Sequence, residues 1–334
     1  MRLALAVLAL ALAACGSTGD PAGPGGGDPL PPGNPPGPAP AGPLPSLGGC
    51  QIFPGDNAWN RDVSADPVHP GSAALLAAMA PENSIHLDLG ASEEYYGIPY
   101  TIVPADQPLV PITFGTGGYD YSDESDPGPM PIPLDVHIEG GSTEDPDPGS
   151  GDRHVLVLRQ GDCRLFELFN TVRTGSGFQV SSSAEWDLTI NDTRPAGWTS
   201  ADAAGLPILP GLLKYEEVAG DRLHHALRFT IPSVRRAYTA PASHCGQHDD
   251  EALPPYGTRV RLKQSFPLAD YSGDALVILT AMKRYGLILA DQGSAWYVTG
   301  TANPGWEDAL DQLREMRVRG SDFEVLASGD VTVC

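Results

Sequence analysis

Short apolar runs separated by proline-containing loops restrict this chain to a mainly β fold. The loops are clearest between residues 104 and 133, where seven prolines interrupt any helical pattern. Between loops, β-branched, aromatic and alternating residues form runs of strand length. The sequence QGD at 160–162 predicts a hairpin turn between two of these runs. The clearest runs are HVLVL (154–158), CRLFELF (163–169), HALRFTI (225–231) and RVRLKQSF (259–266).

Helices are expected in only three places. Residues 72–79 are rich in Ala and Leu, and residues 274–285 carry apolar side chains at near-helical spacing. Residues 306–316 have an acidic start and a basic end, as helices often do. Because strands predominate, we predict a mainly β single domain of β-sandwich or jelly-roll-like type, with a few short helices.

The first fifteen residues, MRLALAVLALALAAC, predict export and lipid anchoring. Arg2 precedes an apolar run that has the length of a signal-peptide core and is too short to span a bilayer. The residues LAAC at 12–15 resemble the lipobox of bacterial lipoproteins, which implies cleavage before Cys15 and acylation of Cys15. Gly16 then favours the outer membrane as the location in the cell envelope. The alternative is an ordinary secretory signal with a nearby cysteine.

Composition divides the rest of the chain into a tether and a folded part. Residues 16–49 are almost wholly Gly, Pro, Ala and Ser, so they cannot bury enough apolar surface to offset chain entropy. We therefore assign residues 1–14 to a signal peptide, 15–49 to a lipidated tether and 50–334 to one globular domain.

Four further cysteines predict two disulfides, because an even number of cysteines in an exported chain is typical of a disulfide framework. Three pairings are possible. We favour Cys50 with Cys163, since the first begins the domain and the second opens a core strand. Cys245, in a loop, then pairs with Cys334 at the C-terminus.

The formal net charge of −22 argues against nucleic acid as a partner, because its phosphates would be repelled. The same charge is compatible with calcium. A Gly/Pro loop carries Asp123, Glu124 and Asp126, which offer the hard oxygen donors that calcium prefers. A calcium site and a solvated acidic loop are the two interpretations of this segment.

Several motifs resemble those of a family of uncharacterised secreted bacterial proteins and lipoproteins. The similar runs include GDRHVLVL (151–158), RPAGWTSADAAGLPILPGLLKYEEV (194–218) and HALRFT (225–230). The resemblance covers nearly the whole domain, and it implies a single domain and secretion. It implies no reaction, because no activity is established for that family.

Ionisable residues on or beside apolar strands are candidates for catalysis, since that placement is costly unless the group pairs or faces a cleft. The alternation at 135–139 would put Asp135, His137 and Glu139 on one face of a strand. That face also fits a histidine-based metal site, although the signal is weak. The candidate catalytic residues are Glu139, Asp152, His154, Glu167, His225, Arg228 and His244.

Two chemistries fit these candidates. A glycoside hydrolase needs two carboxyl groups, and one of them could be Glu167, whose pKa a cleft would raise. A polysaccharide lyase would need cations, and Arg259, Arg261 and Lys263 share one face of a predicted strand. We favour internal pairing for those three cations, and therefore a hydrolase before a lyase.

The function expected is that of a surface lipoprotein acting on polysaccharide as a carbohydrate-active enzyme. The alternative is a non-catalytic glycan-binding or structural surface module. Convergent titratable groups in one site would favour the enzyme, whereas a flat aromatic strip without them would favour the binding module.

Overall fold

Strands dominate the part of the chain that the computed structural model describes, which comprises residues 43–90, 97–141, 151–306 and 318–334. All of these residues belong to one compact unit, Pro36–Cys334. The prediction of a mainly β domain with a few short helices is confirmed. The predicted signal peptide, Cys15 and the tether up to residue 42 lie outside the described residues, as does the predicted helix beyond Trp306.

The strands of the described residues are short, as the spacing of prolines and glycines requires. In chain order they are β1 (Ser46–Leu47), β2 (Cys50–Gln51), β3 (His86–Asp88), β4 (Tyr100–Val103), β5 (Ile112–Phe114), β6 (Val155–Arg159), β7 (Arg164–Phe169), β8 (Val172–Arg173), β9 (Phe178–Val180), β10 (Ser182–Asp187), β11 (Leu227–Ile231), β12 (Ala237–Thr239), β13 (Arg259–Leu262), β14 (Leu287–Gln292), β15 (Tyr297–Thr299), β16 (Phe323–Val325) and β17 (Val331–Val333). The α-helices are α1 (Ser72–Ala77), α2 (Tyr215–Ala219) and α3 (Gly273–Arg284), and 3-10 turns cover Ser122–Glu124, Leu209–Gly211 and Gly320–Asp322.

The largest sheet has six strands in the order β16-β13-β14-β11-β15-β3. It is mixed, because β11 runs parallel to β14 and β15 runs parallel to β3, while the other pairs are antiparallel. A register shift between Phe229 and Thr230 interrupts the pairing of β11 with β14. The central strands β11 and β14 are almost wholly buried.

The second sheet has four strands in the order β10-β7-β6-β4. Strands β6 and β7 form the predicted hairpin, with Val155 opposite Leu168 and Arg159 opposite Arg164. Gly161 in the turn has a φ of +91°, a backbone conformation that glycine adopts without a steric penalty. This sheet is buried on both faces, because alternate residues of β6 enter two different apolar clusters.

The main core is an apolar cluster that contains residues of both sheets. Phe229 and Leu289 from the six-stranded sheet and Leu158 and Trp186 from the four-stranded sheet belong to the same buried cluster. Helix α3 adds buried residues such as Ile278 to that cluster, consistent with the apolar spacing that predicted it. A smaller cluster covers the opposite face of the four-stranded sheet.

Two disulfides tie down the ends of the domain, and both match the favoured pairing. Cys50 is bonded to Cys163 next to the hairpin, and Cys245 is bonded to Cys334. The second bond holds β17 near β12, with which it forms a two-stranded sheet.

One predicted strand is wrong. Residues 135–139 form turns and irregular backbone without a strand partner, although Val136 and Ile138 are buried as the alternation suggested. Val136 lies at a turn instead, where its N–H donates to the carbonyl oxygen of Pro133. The strand predicted at 259–266 is also shorter, since it ends at Leu262.

Candidate functional site

A group of polar and charged side chains lies on one face of the six-stranded sheet, around β11. Along β11, Leu227, Phe229 and Ile231 pack into the main core, so Arg228 and Thr230 point to the opposite face. Side chains from three other strands join this polar face, namely Asp291 on β14, Tyr297 and Thr299 on β15, and His86 and Asp88 on β3.

Arg228 is the centre of this polar face, and it is 4% exposed. Its Nε and Nη2 donate to the two carboxylate oxygens of Asp202 at 2.9 and 2.8 Å, a bidentate arrangement. A further terminal N–H donates to Thr299, and Asp291 lies 3.8 Å from Nη2. The positive charge is therefore fully compensated by the surrounding carboxylates.

His154, which directly precedes β6 of the four-stranded sheet, lies in the same cluster as Arg228. Its Nδ1 lies 2.6 Å from Glu139 Oε2, and its Nε2 lies 3.1 Å from the carbonyl oxygen of Ala201. Both partners only accept hydrogen bonds, so both ring nitrogens carry protons. Burial opposes the charge, but Glu139 outweighs it and raises the pKa of His154 to about 9. The same ion pair holds the pKa of Glu139 below its ordinary value despite burial.

Three further carboxyl groups lie near Arg228 and His154, namely those of Asp88, Asp152 and Asp291. Burial and the neighbouring charge of Asp202 raise the pKa of Asp291 to about 7, although 30% of its side chain is exposed. Burial, together with Glu139 and Asp152, also raises the pKa of Asp88. Asp152 acts on both Asp88 and Asp291, which shows that the carboxyl groups share one electrostatic environment.

The balance of charge in the cluster is negative. Two cations, Arg228 and His154, stand against five carboxyl groups: Asp88, Glu139, Asp152, Asp202 and Asp291. Such a site stabilises developing positive charge and disfavours an anionic ligand. At its edge the rings of His86 and Tyr297 are stacked with centroids 4.1 Å apart, and His86 is exposed.

The loop at 200–205 links the two sheets at this point. Ala201 accepts from His154, Asp202 accepts from Arg228, and Ala203 accepts from His244 through its carbonyl oxygen at 2.9 Å. Three successive residues are thus held by three of the predicted site residues. The structure brings together Glu139, Asp152, His154 and Arg228 as one cluster, and His244 contacts it only through this loop.

Glu167 has a structural role. Its carboxyl group is fully buried and accepts from the backbone N–H groups of Ile208 and Leu209 and from the indole of Trp186. Burial raises its pKa to about 7, as expected for a carboxyl group in an apolar environment. The predicted cleft is absent here, because the side chain points from β7 into the main core.

His225 lies in a separate buried cluster. Its Nε2 is 2.8 Å from Glu217 Oε2 and 3.3 Å from Lys214 Nζ, and its Nδ1 donates to the carbonyl oxygen of Ala226. Lys214 also donates to the carbonyl oxygens of Leu209 and Leu212 and so closes the short 3-10 turn. Each of these groups is satisfied within the protein, so the cluster supports the fold.

The acidic loop proposed for calcium is engaged with protein donors. Asp126 pairs with Arg194, and Glu124 accepts from the backbone N–H of Thr199 at 2.9 Å. Glu124 also lies 3.6 Å from His244 Nε2. Within the described residues, no cluster of three or more His, Cys, Asp and Glu side chains is arranged to hold a metal ion.

The basic stripe is used internally, as favoured from the sequence. Arg259 donates to the carbonyl oxygens of Ala58 and Tyr285, and Arg261 pairs with Glu324. Lys263 donates to the carbonyl oxygen of Ser321. Four tryptophans are core residues with at most 2% exposure: Trp59, Trp186, Trp296 and Trp306.

Sequence reasoning missed Asp88 and Asp291 as site residues. Asp291 follows four buried residues of β14, and Asp88 ends the short strand β3. A carboxylate that ends an apolar strand is a usable signal, since it must find a partner or a polar face. Only the pairing of β3, β15, β11 and β14 places the two near Arg228, and no spacing in the sequence indicates that pairing.

Comparisons of this chain with protein families, with curated proteins and with solved structures gave no match. The resemblance to uncharacterised secreted proteins therefore stays a prediction. No helix of the described residues is long and apolar enough to cross a membrane.

Proposed function

We propose that the cluster around Arg228 is the active site of a carbohydrate-active hydrolase that cleaves a glycosidic bond by acid–base catalysis. The observation that carries this proposal is that the pKa values of two partly exposed carboxyl groups beside one arginine are shifted in opposite directions. The pKa of Asp291 is raised to about 7, whereas that of Glu139 is lowered. Two neighbouring carboxyl groups whose environments move their pKa values apart are typical of a general acid and a general base.

The two groups take different roles. Asp291 retains its proton near neutral pH and donates it to the leaving oxygen as the general acid. Glu139 stays ionised because of its contact with His154, and it acts as the general base or as the nucleophile. The surplus of carboxylates supports a positively charged, oxocarbenium-like transition state.

The charge of the cluster favours a hydrolase over a lyase. A lyase acting on uronates needs a cation that is available to the substrate carboxylate. Arg228 is engaged by Asp202 in a bidentate pair, and His154 is engaged by Glu139. Neutral or cationic sugars fit this site better than uronates do.

The buried tryptophans support an enzyme rather than a binding module. A binding module would display a flat aromatic strip, but four of the tryptophans are in the core. The stacked rings of His86 and Tyr297 lie beside the carboxyl groups and offer one platform for a sugar ring. Convergent titratable groups are the feature that separates the two functions.

We further propose that the domain acts outside the cytoplasm, anchored in the bacterial cell envelope through a lipid on Cys15. The two disulfides support export to an oxidising compartment. The LAAC sequence at 12–15 and the Gly/Pro-rich segment after it support a lipid anchor followed by a tether.

A screen of the purified domain against a panel of neutral, amino-sugar and uronate polysaccharides tests the proposal. Glu139→Gln and Asp291→Asn are each expected to lower turnover about 100-fold or more on any glycan that is cleaved, with each variant assayed below its own melting temperature. Glu185→Gln is the matched control, because Glu185 is a half-exposed carboxyl group with a raised pKa on β10, outside the cluster.

Glycan binding without cleavage, unchanged by both site substitutions, would instead identify a binding module. Cleavage that survives both substitutions would place the active site elsewhere in the chain.

A further inference from the structure

A groove runs along α3 on the side of the molecule where α2 packs. It has a cavity volume of about 520 Å³, which falls within the range of small-molecule sites. Val218, Leu223, Leu276 and Val277 form the apolar part of its lining, and Asp221, His224 and Asp274 are among the polar residues. The groove shares no residue with the candidate active site.

One end of this groove holds a buried hydroxyl group without a partner. Tyr285 lines the groove and is 1% exposed, and its hydroxyl makes no hydrogen bond in the structure. Leaving such a group unsatisfied is costly, and a ligand that accepts from it removes that cost. Burial raises the pKa of Tyr285, so the hydroxyl is a donor at neutral pH.

Arg284 lies at the same end. Its guanidinium group sits over the Tyr285 ring, 5.5 Å from the centroid, and its Nε donates to Asp62 at 2.8 Å. The two terminal amino groups of Arg284 have no hydrogen-bond partner among the described residues. The phenol and these amino groups are donors, so they match a head group that only accepts.

We propose that this groove binds a small amphipathic carboxylate, with its carboxyl group at Arg284 and Tyr285 and its hydrocarbon part along α3. A carboxylate has about four acceptor sites and no donor, and it fits the planar fork of an arginine. The apolar side chains of Val218, Leu223, Leu276 and Val277 then cover a chain or ring.

Octanoate is a suitable probe, with octanamide as the uncharged compound of equal chain length. Titration of the whole folded domain, followed by NMR, is expected to show saturable octanoate binding with a Kd of about 1 mM or tighter. Octanamide is expected to bind about tenfold more weakly, because it lacks the charge that Arg284 recognises.

Tyr285→Phe and Arg284→Gln are each expected to weaken octanoate binding about tenfold. Lys283→Gln is the matched control, since Lys283 donates to the carbonyl oxygens of Gln264 and Phe266 and does not line the groove. Tyr285→Phe removes only the unpaired hydroxyl, so the ligand-free protein should melt at the wild-type temperature or above it.

Three results would overturn the proposal. They are octanoate binding that does not saturate at about ten times the expected Kd, equal binding of octanamide, and wild-type affinity in both groove variants. The arm with octanamide uses the wild-type protein, so it gives an answer even if a variant does not fold.

Discussion

The ion pair between His154 and Glu139 should make the stability of the domain depend on pH in a specific direction. The pKa of His154 is about 9 in the folded protein, against an ordinary value of 6.5. Each tenfold change in proton affinity is worth about 1.36 kcal/mol, so this difference corresponds to about 3 kcal/mol. Because the folded value is the higher one, the stabilisation is fully present below pH 6.5 and is lost as pH rises through 9.

Glu139→Gln isolates this effect from other titrating groups. The glutamine can still accept a hydrogen bond from a neutral imidazole, but it cannot stabilise a positive charge on His154. We therefore expect the substitution to lower the free energy of unfolding by about 3 kcal/mol at pH 6 and by less than about 1 kcal/mol at pH 10. Urea unfolding under oxidising conditions at both pH values measures the difference.

An independent measurement and a control complete this test. The NMR titration of His154 should have its midpoint near pH 9 in the wild type, the value that its environment implies. Glu185→Gln removes a partly exposed pair with Arg164 and should change stability by less than about 1 kcal/mol at either pH. An equal cost of Glu139→Gln at pH 6 and pH 10 would refute the reasoning.

Three further predictions concern the core, the disulfides and the anchor. Burial raises the pKa of Glu167 to about 7, so the stability of the wild type should fall as pH rises from 4.5 through 7. Glu167→Gln should therefore gain about 3 kcal/mol of stability relative to the wild type between pH 5 and pH 8. Urea unfolding that gives the same difference between variant and wild type at both pH values would contradict this. Replacing Cys245 and Cys334 together by serine should lower the free energy of unfolding by about 2–4 kcal/mol, and an unchanged denaturation midpoint would count against it. Cys15→Ala should release the protein from membranes, and recovery of that variant in the membrane pellet would reject lipid anchoring at Cys15.

Local patterns in the sequence predicted the elements that are defined by neighbouring residues. The runs at 154–158 and 163–169 became β6 and β7, and the turn between them formed as predicted, because hairpin register depends on residues close in sequence. The strand prediction for residues 135–139 was wrong because it rested on local alternation alone. Its alternating burial was correct, but a strand also needs a partner, which alternation does not supply.

Four of the seven charged groups in the candidate site followed from the sequence. Glu139, Asp152, His154 and Arg228 were selected because charged groups beside apolar strands need partners. The same rule also selected Glu167 and His225, whose partners lie within the core. Distinguishing a group paired in the core from one at a surface site requires the sheet order, which also brings in Asp88 and Asp291.

The titration of the Asp291 carboxyl group tests the proposed acid–base site most directly, because it needs no knowledge of the substrate. Carbon-13 NMR of aspartate-labelled protein, with Asp291→Asn used to assign the signal, follows this group between pH 3 and pH 9. The account predicts a midpoint near pH 7, raised by burial and by the charge of Asp202. A midpoint near the ordinary value of 3.8 would contradict it, since Asp291 would then carry no proton to donate at neutral pH.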